Sequence, residues 1–253
     1  MSFERFKQAF DRDGFVIVPQ LLDPADFDEL AANLERYIRQ VVPMLADSQA
    51  FYEDRARPET LKQLQHMGCD PFFRDYALHP RWSALAEALV GEEARGEQPE
   101  WFNKPAGASS ATPPHQDNYY FNLQPPNVVT LWMALDPVDN ENGCLRYVAG
   151  SHLGGFRIHG RSQVLGFSQG ILDYGPDDER REVEIHLQPG DVVAHHGMTI
   201  HRAEANRSGA RQRRAFALVY KGTSCRRDDE AFARYMAALK SQHTALGLAT
   251  EKA

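Results

Sequence analysis

Residues 101–220 consist of short runs of β-forming residues separated by proline, glycine, asparagine and aspartate. The runs cover residues 101–104, 115–121, 128–135, 145–148, 183–187, 191–196 and 214–220. Several short strands with turn residues between them are typical of a β-sandwich or a β-barrel. The sequence therefore predicts a mainly β core.

Helical patterns flank this β-rich segment. Apolar residues recur at helical spacing over residues 3–10, 24–42, 72–90 and 228–246. Asp23 and Pro24 make a good helix start, because aspartate caps free amides and proline suits the first helical position. Residues 44–70 are polar without a clean period, and residues 91–99 are expected to form a loop.

A chain of 253 residues fits one domain, since sandwiches and barrels often reach this size without splitting. We expect a mainly β fold with flanking α-helices. Its parts are a helical N-terminal buttress over about residues 1–95, a β core over about 100–222 and a C-terminal helix over about 228–246.

The sequence His115-Gln116-Asp117 is a candidate for metal binding. In an extended strand, residues two positions apart point to the same side, so His115 and Asp117 would lie together. Such a pair supplies two of the three ligands of the two-histidine, one-carboxylate site of ferrous iron. Taken alone, a histidine beside an acid is more often a salt bridge.

A second region, residues 190–220, strengthens the metal interpretation. A turn, a strand with a histidine near its end, a polar loop and a returning strand that opens with arginine would bring a third ligand and a fixed cation to the same site. From the residues alone, the cation is Arg213 or Arg214, because a one-residue shift in register exchanges the two faces. The histidines available as the third ligand are His186, His195, His196 and His201.

These motifs resemble the phytanoyl-CoA dioxygenase family of iron(II)- and 2-oxoglutarate-dependent oxygenases. The matching segments are residues 13–19, 103–105, 115–117, 131–136 and 142–152, followed by the segments of His201 and Arg213. The resemblance implies that the β core is a double-stranded β-helix, the cupin-like jelly-roll. It also implies Fe(II), 2-oxoglutarate as co-substrate and O2.

The resemblance assigns residues to this site. His115, Asp117 and His201 would be the metal ligands and the catalytic centre. Arg213 would pair with the far carboxylate of 2-oxoglutarate, since the planar guanidinium binds carboxylates bidentately. Further residues of the 2-oxoglutarate pocket would be Lys104, Gln116 and Trp132.

One position departs from the family pattern. Ala203 stands two residues after His201, where the family often has a serine that helps to bind the co-substrate, so Thr130 is a candidate replacement donor. Asp117 is present, whereas related halogenases lack the metal carboxylate. Hydroxylation is therefore favoured over halogenation.

We expect an enzyme that hydroxylates a C–H bond of a small molecule and releases succinate and CO2. Two alternatives are a non-catalytic family member that binds metal or 2-oxoglutarate as a sensor or scaffold, and a zinc or manganese cupin hydrolase or isomerase. The latter would not need Arg213. The substrate wall or lid is expected to include Trp101, Asn118, Tyr119, Tyr120, Arg146 and residues 156–174.

Charge and cysteine content restrict the partners. The formal net charge of −7 comes without a basic face, so nucleic acid and anionic membranes are poor candidates. Three cysteines at unrelated spacings indicate neither a disulfide framework nor a zinc cluster. No signal segment opens the chain, and no apolar run approaches the roughly 18 residues that span a bilayer. These features predict a cytoplasmic protein.

Overall fold

Helices and strands were assigned in a computed structural model that describes residues 3–46, 48–107, 109–164 and 167–245. The α-helices are α1 (Glu4–Asp13), α2 (Pro24–Gln40), α3 (Pro71–Arg74), α4 (Pro80–Val90), α5 (Asn118–Phe121), α6 (Pro176–Glu179) and α7 (Asp229–Ala245). Short 3-10 helices cover Val42–Met44, Pro58–Thr60, Met67–Cys69, Tyr76–Leu78 and Ser151–Gly154.

The strands lie mainly in the second half of the chain. They are β1 (Phe15–Val18), β2 (Ala50–Tyr52), β3 (Leu61–Leu64), β4 (Ala94–Gly96), β5 (Glu100–Lys104), β6 (Thr112–His115), β7 (Leu123–Gln124), β8 (Val128–Ala134), β9 (Leu145–Val148), β10 (His159–Val164), β11 (Phe167–Ile171), β12 (Glu182–Glu184), β13 (Val192–His196), β14 (His201–Ala203), β15 (Arg213–Gly222) and β16 (Arg226–Arg227).

Two antiparallel sheets face each other. The large sheet has the order β1-β13-β8-β15-β5-β3-β2, with β4 also paired to β15, and the small sheet has the order β12-β9-β14-β6. Buried residues of both sheets form one apolar cluster, in which Trp132 and Ala215 of the large sheet meet Leu145 and Tyr147 of the small one. This arrangement is a double-stranded β-helix, so the prediction of a jelly-roll is confirmed.

Strand β15 shows how alternation divides the core into two parts. Phe216 and Leu218 belong to the cluster that packs against the helices. Ala215 and Ala217 belong to the cluster between the sheets. Successive side chains of a strand point to opposite faces, so Arg213 falls on the same side as Ala215 and Ala217. The large sheet is therefore buried on both faces, by helices on one side and by the small sheet on the other.

The N-terminal helices cover the outer face of the large sheet. Helix α2 begins where predicted, with the Asp23 side chain accepting a hydrogen bond of 3.0 Å from the amide of Asp26. The ring of Phe216 packs 5.7 Å from that of Trp82 and 6.0 Å from that of Phe73, measured between centroids. The predicted helical buttress thus supplies the second side of the core.

The prediction of a strand over residues 115–121 was wrong beyond His115. Strand β6 ends at His115, and Asp117 already has helical dihedral angles, with φ −57° and ψ −38°. The amide of Asn118 donates to Gly197 O over 2.8 Å, and the Asn118 side chain donates to Leu123 O over 3.1 Å. These contacts bend the chain into α5, and the contact with residue 197 is not visible in the local sequence.

Other boundaries also differ from the predictions. Residues 44–70 contain β2 and β3, and the predicted loop at 91–99 contains β4. The helix predicted over 72–90 is divided into α3, the 3-10 helix Tyr76–Leu78 and α4, and Pro80 stands at the first position of α4, where its missing N–H costs no helical hydrogen bond. The C-terminal helix was predicted over 228–246; its last residue, 246, lies outside the described residues. No described helix is both long enough and apolar enough to cross a membrane.

We expect Phe216→Ala to lower the free energy of unfolding by about 3–5 kcal/mol, because a fully buried ring would leave a cavity between the sheet and the helices. Urea denaturation measures this change. The control is Leu78→Ala, whose side chain is 75% exposed and whose loss should change stability by less than about 0.5 kcal/mol. A loss at Phe216 no larger than that of the control would contradict the two-sided core.

Candidate metal and co-substrate site

Three side chains predicted as metal ligands converge between the two sheets. His115 ends β6, and His201 begins the paired strand β14 directly opposite it. The ligand atoms of His115, Asp117 and His201 all lie within 4.8 Å of one another. Asp117 Oδ1 is 3.5 Å from His115 Nε2 and 3.6 Å from His201 Nε2. Two imidazoles and one carboxylate are the donor set of non-haem ferrous oxygenase sites.

Backbone carbonyls determine which imidazole nitrogen is available. His115 Nδ1 lies 2.8 Å from Pro113 O, and His201 Nδ1 lies 3.0 Å from Thr199 O. Because a carbonyl oxygen only accepts, each Nδ1 carries a proton and each Nε2 of the neutral ring presents a lone pair. Burial and the neighbouring His115 hold the pKa of His201 well below its ordinary value. The imidazole is therefore neutral, as a metal ligand must be.

Hydrogen bonds hold the second carboxylate oxygen of Asp117. Thr130 Oγ1 donates to Asp117 Oδ2 over 2.7 Å, and His195 Nε2 lies 2.9 Å from the same oxygen. Tyr147 Oη lies 2.8 Å from His195 Nδ1. Since the carboxylate only accepts, His195 Nε2 donates to Asp117, and Tyr147 Oη holds the other nitrogen of the ring. Asp117 Oδ1 is left to face the two histidine nitrogens.

The charge of Asp117 follows from its neighbours. Burial alone would raise the pKa of this carboxyl group, but the adjacent His201 and the hydrogen bond from His195 hold it well below its ordinary value. An ionised carboxylate at the centre of three imidazoles suits a divalent cation.

The other histidines occupy different environments. His195 is 2% exposed and hydrogen-bonded at both ring nitrogens, so it positions Asp117. His196 points to the helix-facing side, where its ring centroid lies 6.1 Å from that of Phe10. The His186 side chain is 57% exposed. Of the four candidates, the structure brings His201 to His115 and Asp117.

A small cavity extends from these three side chains to Arg213, with Trp132 and Leu145 in its wall. The guanidinium carbon of Arg213 lies 5.0 Å from the centre of the Trp132 ring. Arg213 is 5% exposed, its Nη1 donates to Gly143 O over 3.3 Å, and its Nε has no hydrogen-bond partner among the described residues. Burial lowers the pKa of Arg213 to about 10, so the side chain is charged at neutral pH.

A buried guanidinium whose Nε has no hydrogen-bond partner among the described residues fits a carboxylate ligand in this cavity. Arg214 does not offer the same opportunity, because alternation turns it to the other face of β15. There its Nη2 donates to Asp136 Oδ1 over 2.7 Å and its Nε donates to Asp136 Oδ2 over 3.0 Å. The structure thus distinguishes the two arginines that the sequence left open.

Lys104 and Gln116 are placed differently from Trp132. Lys104 lies directly across from Arg213 in the register of β5 and β15, but in an adjoining pocket, where its Nζ donates to Ser110 O over 2.6 Å. The Gln116 amide donates to Gly155 O and Met198 O, each over 2.9 Å. These bonds tie Gln116 to two loops rather than to the cavity.

The position where the family often has a serine is occupied by Ala203 in this chain. Ala203 is fully buried in the core between the sheets. The Thr130 hydroxyl, expected to replace the serine, donates to Asp117 instead. Its role is therefore to orient the carboxylate.

The residues expected in the substrate wall are not all brought to the candidate metal ligands. Tyr120 lines a second cavity that also touches His115 and Asp117. Trp101 packs among the helices, and Arg146 pairs with Glu184 at 2.7 Å, so both lie away from this wall. Tyr147 was not predicted at all, because its link to His195 depends on how the two sheets pack.

This fold with this donor set is typical of non-haem iron dioxygenases that use 2-oxoglutarate, and this chain is one of them. It belongs to the phytanoyl-CoA dioxygenase (PhyH) family, whose sequence profile matches residues 10–215.

Individual relatives agree with this assignment. Peroxisomal phytanoyl-CoA dioxygenase of Rattus norvegicus is 28% identical over 242 residues, covering 89% of this chain and 70% of the relative. Phytanoyl-CoA dioxygenase 1 of Oryza sativa subsp. japonica is 30% identical over 204 residues, covering 78% of this chain and 72% of the relative.

Solved structures show the same fold. The epimerase SnoN from nogalamycin biosynthesis, in complex with Fe3+, alpha ketoglutarate and nogalamycin RO, is 27% identical with a TM-score of 0.70, covering 88% of this chain and 84% of SnoN. The carbocyclase SnoK from the same biosynthesis is 25% identical with a TM-score of 0.71, covering 92% of each chain.

We expect Tyr147→Phe to weaken Mn(II) binding about tenfold. The variant removes the hydrogen bond between Tyr147 Oη and His195 Nδ1, so the His195 ring holds Asp117 less firmly. Calorimetric titration of the metal-free protein measures the dissociation constant. Tyr174→Phe is the matched control, since it removes a hydroxyl that donates to Glu182 away from the site. Equal affinities for the two variants would show that the link from Tyr147 to Asp117 has no bearing on the metal.

Proposed function

We propose that His115, Asp117 and His201 hold Fe(II) and that the enzyme hydroxylates a C–H bond of a small molecule, with release of succinate and CO2. The observation that carries this proposal is the single cavity in which the three ligand atoms, within 4.8 Å of one another, face a buried arginine. A hydrolytic or isomerising cupin has no need for that arginine.

When bound, Fe(II) and 2-oxoglutarate supply the oxidising power, through activation of O2 coupled to oxidative decarboxylation of the keto acid. The protein positions these groups. Asp117 Oδ1 and the Nε2 atoms of His115 and His201 would hold the ion. Thr130 and His195 hold the other carboxylate oxygen, so that Oδ1 is the oxygen offered to the metal.

Arg213 is proposed to pair with the far carboxylate of 2-oxoglutarate, and Trp132 to pack beside it. Support comes from the buried guanidinium, which has an unpartnered Nε and lies over the Trp132 ring. Lys104 lies in the adjoining pocket, where its Nζ donates to Ser110 O over 2.6 Å. Gln116 is assigned a supporting role in shaping the loop after β6, because its amide is engaged with Gly155 and Met198.

The substrate enters the second cavity, which is lined by His115, Asp117 and Tyr120 and has a volume of about 480 Å³. This is within the size range of small-molecule sites. Relatives named as an epimerase and a carbocyclase show that related chains direct the same cofactors to other outcomes. Hydroxylation is our proposal for this chain because Asp117 is retained.

We infer a cytoplasmic location and no nucleic-acid or membrane partner. The support is the net charge of −7 and three cysteines, each of them a free thiol. Mammalian relatives are named as peroxisomal, so fractionation of cells that express the tagged chain is the direct test. Recovery with membranes or organelles would contradict the inference.

Anaerobic addition of Fe(II) and 2-oxoglutarate should produce a weak visible charge-transfer band, because the keto acid chelates the metal through its keto and carboxylate oxygens. His201→Ala should abolish the band while the protein remains folded by circular dichroism. His186→Ala, which removes an exposed histidine, should retain it. A folded wild-type protein without the band would overturn the proposed function.

Arg213→Gln should weaken 2-oxoglutarate binding about 10- to 100-fold, because one charge-assisted pair is lost. Calorimetry with the Mn(II)-loaded protein gives the dissociation constant. Arg214→Gln should leave this constant unchanged, since Arg214 pairs with Asp136 on the opposite face. If the Arg214 variant loses affinity instead, the assignment of the co-substrate pocket is incorrect.

A further inference from the structure

The second cavity is lined by both polar and apolar side chains. The candidate metal ligands His115 and Asp117 form part of its wall. Its other polar side chains include Gln63, Gln65, His66, Gln98 and Glu100. Its apolar and aromatic side chains include Phe102, Phe121, Ala217, Val219, Phe232, Tyr235, Met236 and Leu239. A ligand that fills this space must match both kinds of side chain.

Glu100 supplies a carboxylate to the wall of this cavity. It lies in β5 directly opposite Ala217 of β15, whose methyl group leaves room in front of the carboxylate. The Gln63 side chain hydrogen-bonds to Glu100. Among the ion pairs of the described residues, none includes Glu100. Burial, with the negative charge of Asp117, raises the pKa of Glu100 to about 7.

Gln63, which lies beside Glu100 in the same wall, has an oxygen without a partner in the described structure. It is 4% exposed, and its Oε1 is buried without a hydrogen-bond partner in the described part of the chain. The Glu100 carboxylate and this oxygen are both acceptors. Gln63 Oε1 is thus an acceptor beside the Glu100 carboxylate, and a buried acceptor left unpaired is unfavourable.

The charge of the cavity wall is one-sided. Its lining includes two carboxylates, Glu100 and Asp117, and no lysine or arginine among the described residues. A metal ion would neutralise Asp117 but not Glu100. An anionic ligand would meet an uncompensated carboxylate in this cavity, whereas a cation would be attracted to it.

Helix α7 provides the apolar surface. Phe232, Tyr235, Met236 and Leu239 follow one another at helical spacing along the face that covers the cavity. The ring of Tyr235 packs edge-on against Tyr120, with 5.7 Å between their centroids. These aromatic and aliphatic side chains suit a ligand with a hydrocarbon or aromatic portion.

From this distribution we infer that the substrate is an organic amine, with its protonated nitrogen against Glu100 and its apolar body under α7. The inference rests on the proposed function, because it places this amine beside the metal. An ammonium group offers N–H donors to the Glu100 carboxylate and to Gln63 Oε1, which accepts no hydrogen bond from any described residue. Glu100 is therefore a specificity-determining residue, and neutral or acidic analogues of the same shape bind less well.

The test uses the full chain loaded with Mn(II) and 2-oxoglutarate and three probes of similar shape: phenethylamine, phenethyl alcohol and hydrocinnamate. Ligand-observed NMR gives their dissociation constants. The amine should bind about tenfold more tightly than either of the others, as expected for one charge-assisted hydrogen bond. Glu100→Gln should lower amine affinity about tenfold and leave alcohol affinity unchanged.

Two further variants make the result specific. Glu97→Gln removes the same charge from a carboxylate that is 52% exposed and pairs with Lys221, and it should keep the amine preference. Ala217→Leu fills the space opposite Glu100 and should weaken all three probes alike. Thermal unfolding of each variant confirms that it is folded.

Any one of four results would overturn the inference. The three probes could bind with equal affinity, or the amine could fail to bind at millimolar concentration. The protein could also prefer the acid, or the amine preference could survive in Glu100→Gln. Failure of the proposed function is read separately. It appears as the absence of Mn(II) and 2-oxoglutarate binding in the titration that precedes the probes. The amine assignment is judged only from affinity ratios among probes and variants.

Discussion

The large sheet is buried on both faces, and the rest of the structure depends on this constraint. A strand has two faces, so each residue of β8 and β15 belongs either to the helix-packed core or to the space between the sheets. On β15 the first set includes Phe216 and the second includes Arg213. The apolar face supplies the burial that stabilises the fold, and the other face keeps a polar site away from water.

Removal from water determines the properties of that site. Burial lowers the pKa of both Lys104 and Arg213, and their positions opposite each other on β5 and β15 add mutual repulsion at Lys104. Buried like charges are unfavourable, so this end of the cavity is a place where a carboxylate is bound strongly. The same low polarity strengthens the effect of the Glu100 carboxylate in the second cavity. We thus propose an anion site at Arg213 and a cation site at Glu100, in the two cavities that adjoin the candidate metal ligands.

Part of this site could be predicted and part could not. The order of His115, Asp117, His201 and Arg213 along the chain indicated a metal and a keto acid before any geometry was known. The reasoning that placed His115 and Asp117 on one extended strand was nevertheless wrong. Asp117 has helical dihedral angles, and the approach of residue 197 bends the chain at this point. This bend, and not strand alternation, brings the Asp117 carboxylate close to the imidazoles of His115 and His201.

The sequence by itself determined the chemistry: which residue types are present, in which order, and the β-rich pattern that makes a jelly-roll. Those properties are local, or they repeat with a period that can be read along the chain. Only the tertiary structure decided which arginine faces inward, that Tyr147 and His195 orient Asp117, and that Glu100 stands in a cavity whose described lining has no lysine or arginine. Each of these depends on which strands are neighbours and how two sheets face each other, because hydrogen bonds and burial arise between residues far apart in the chain.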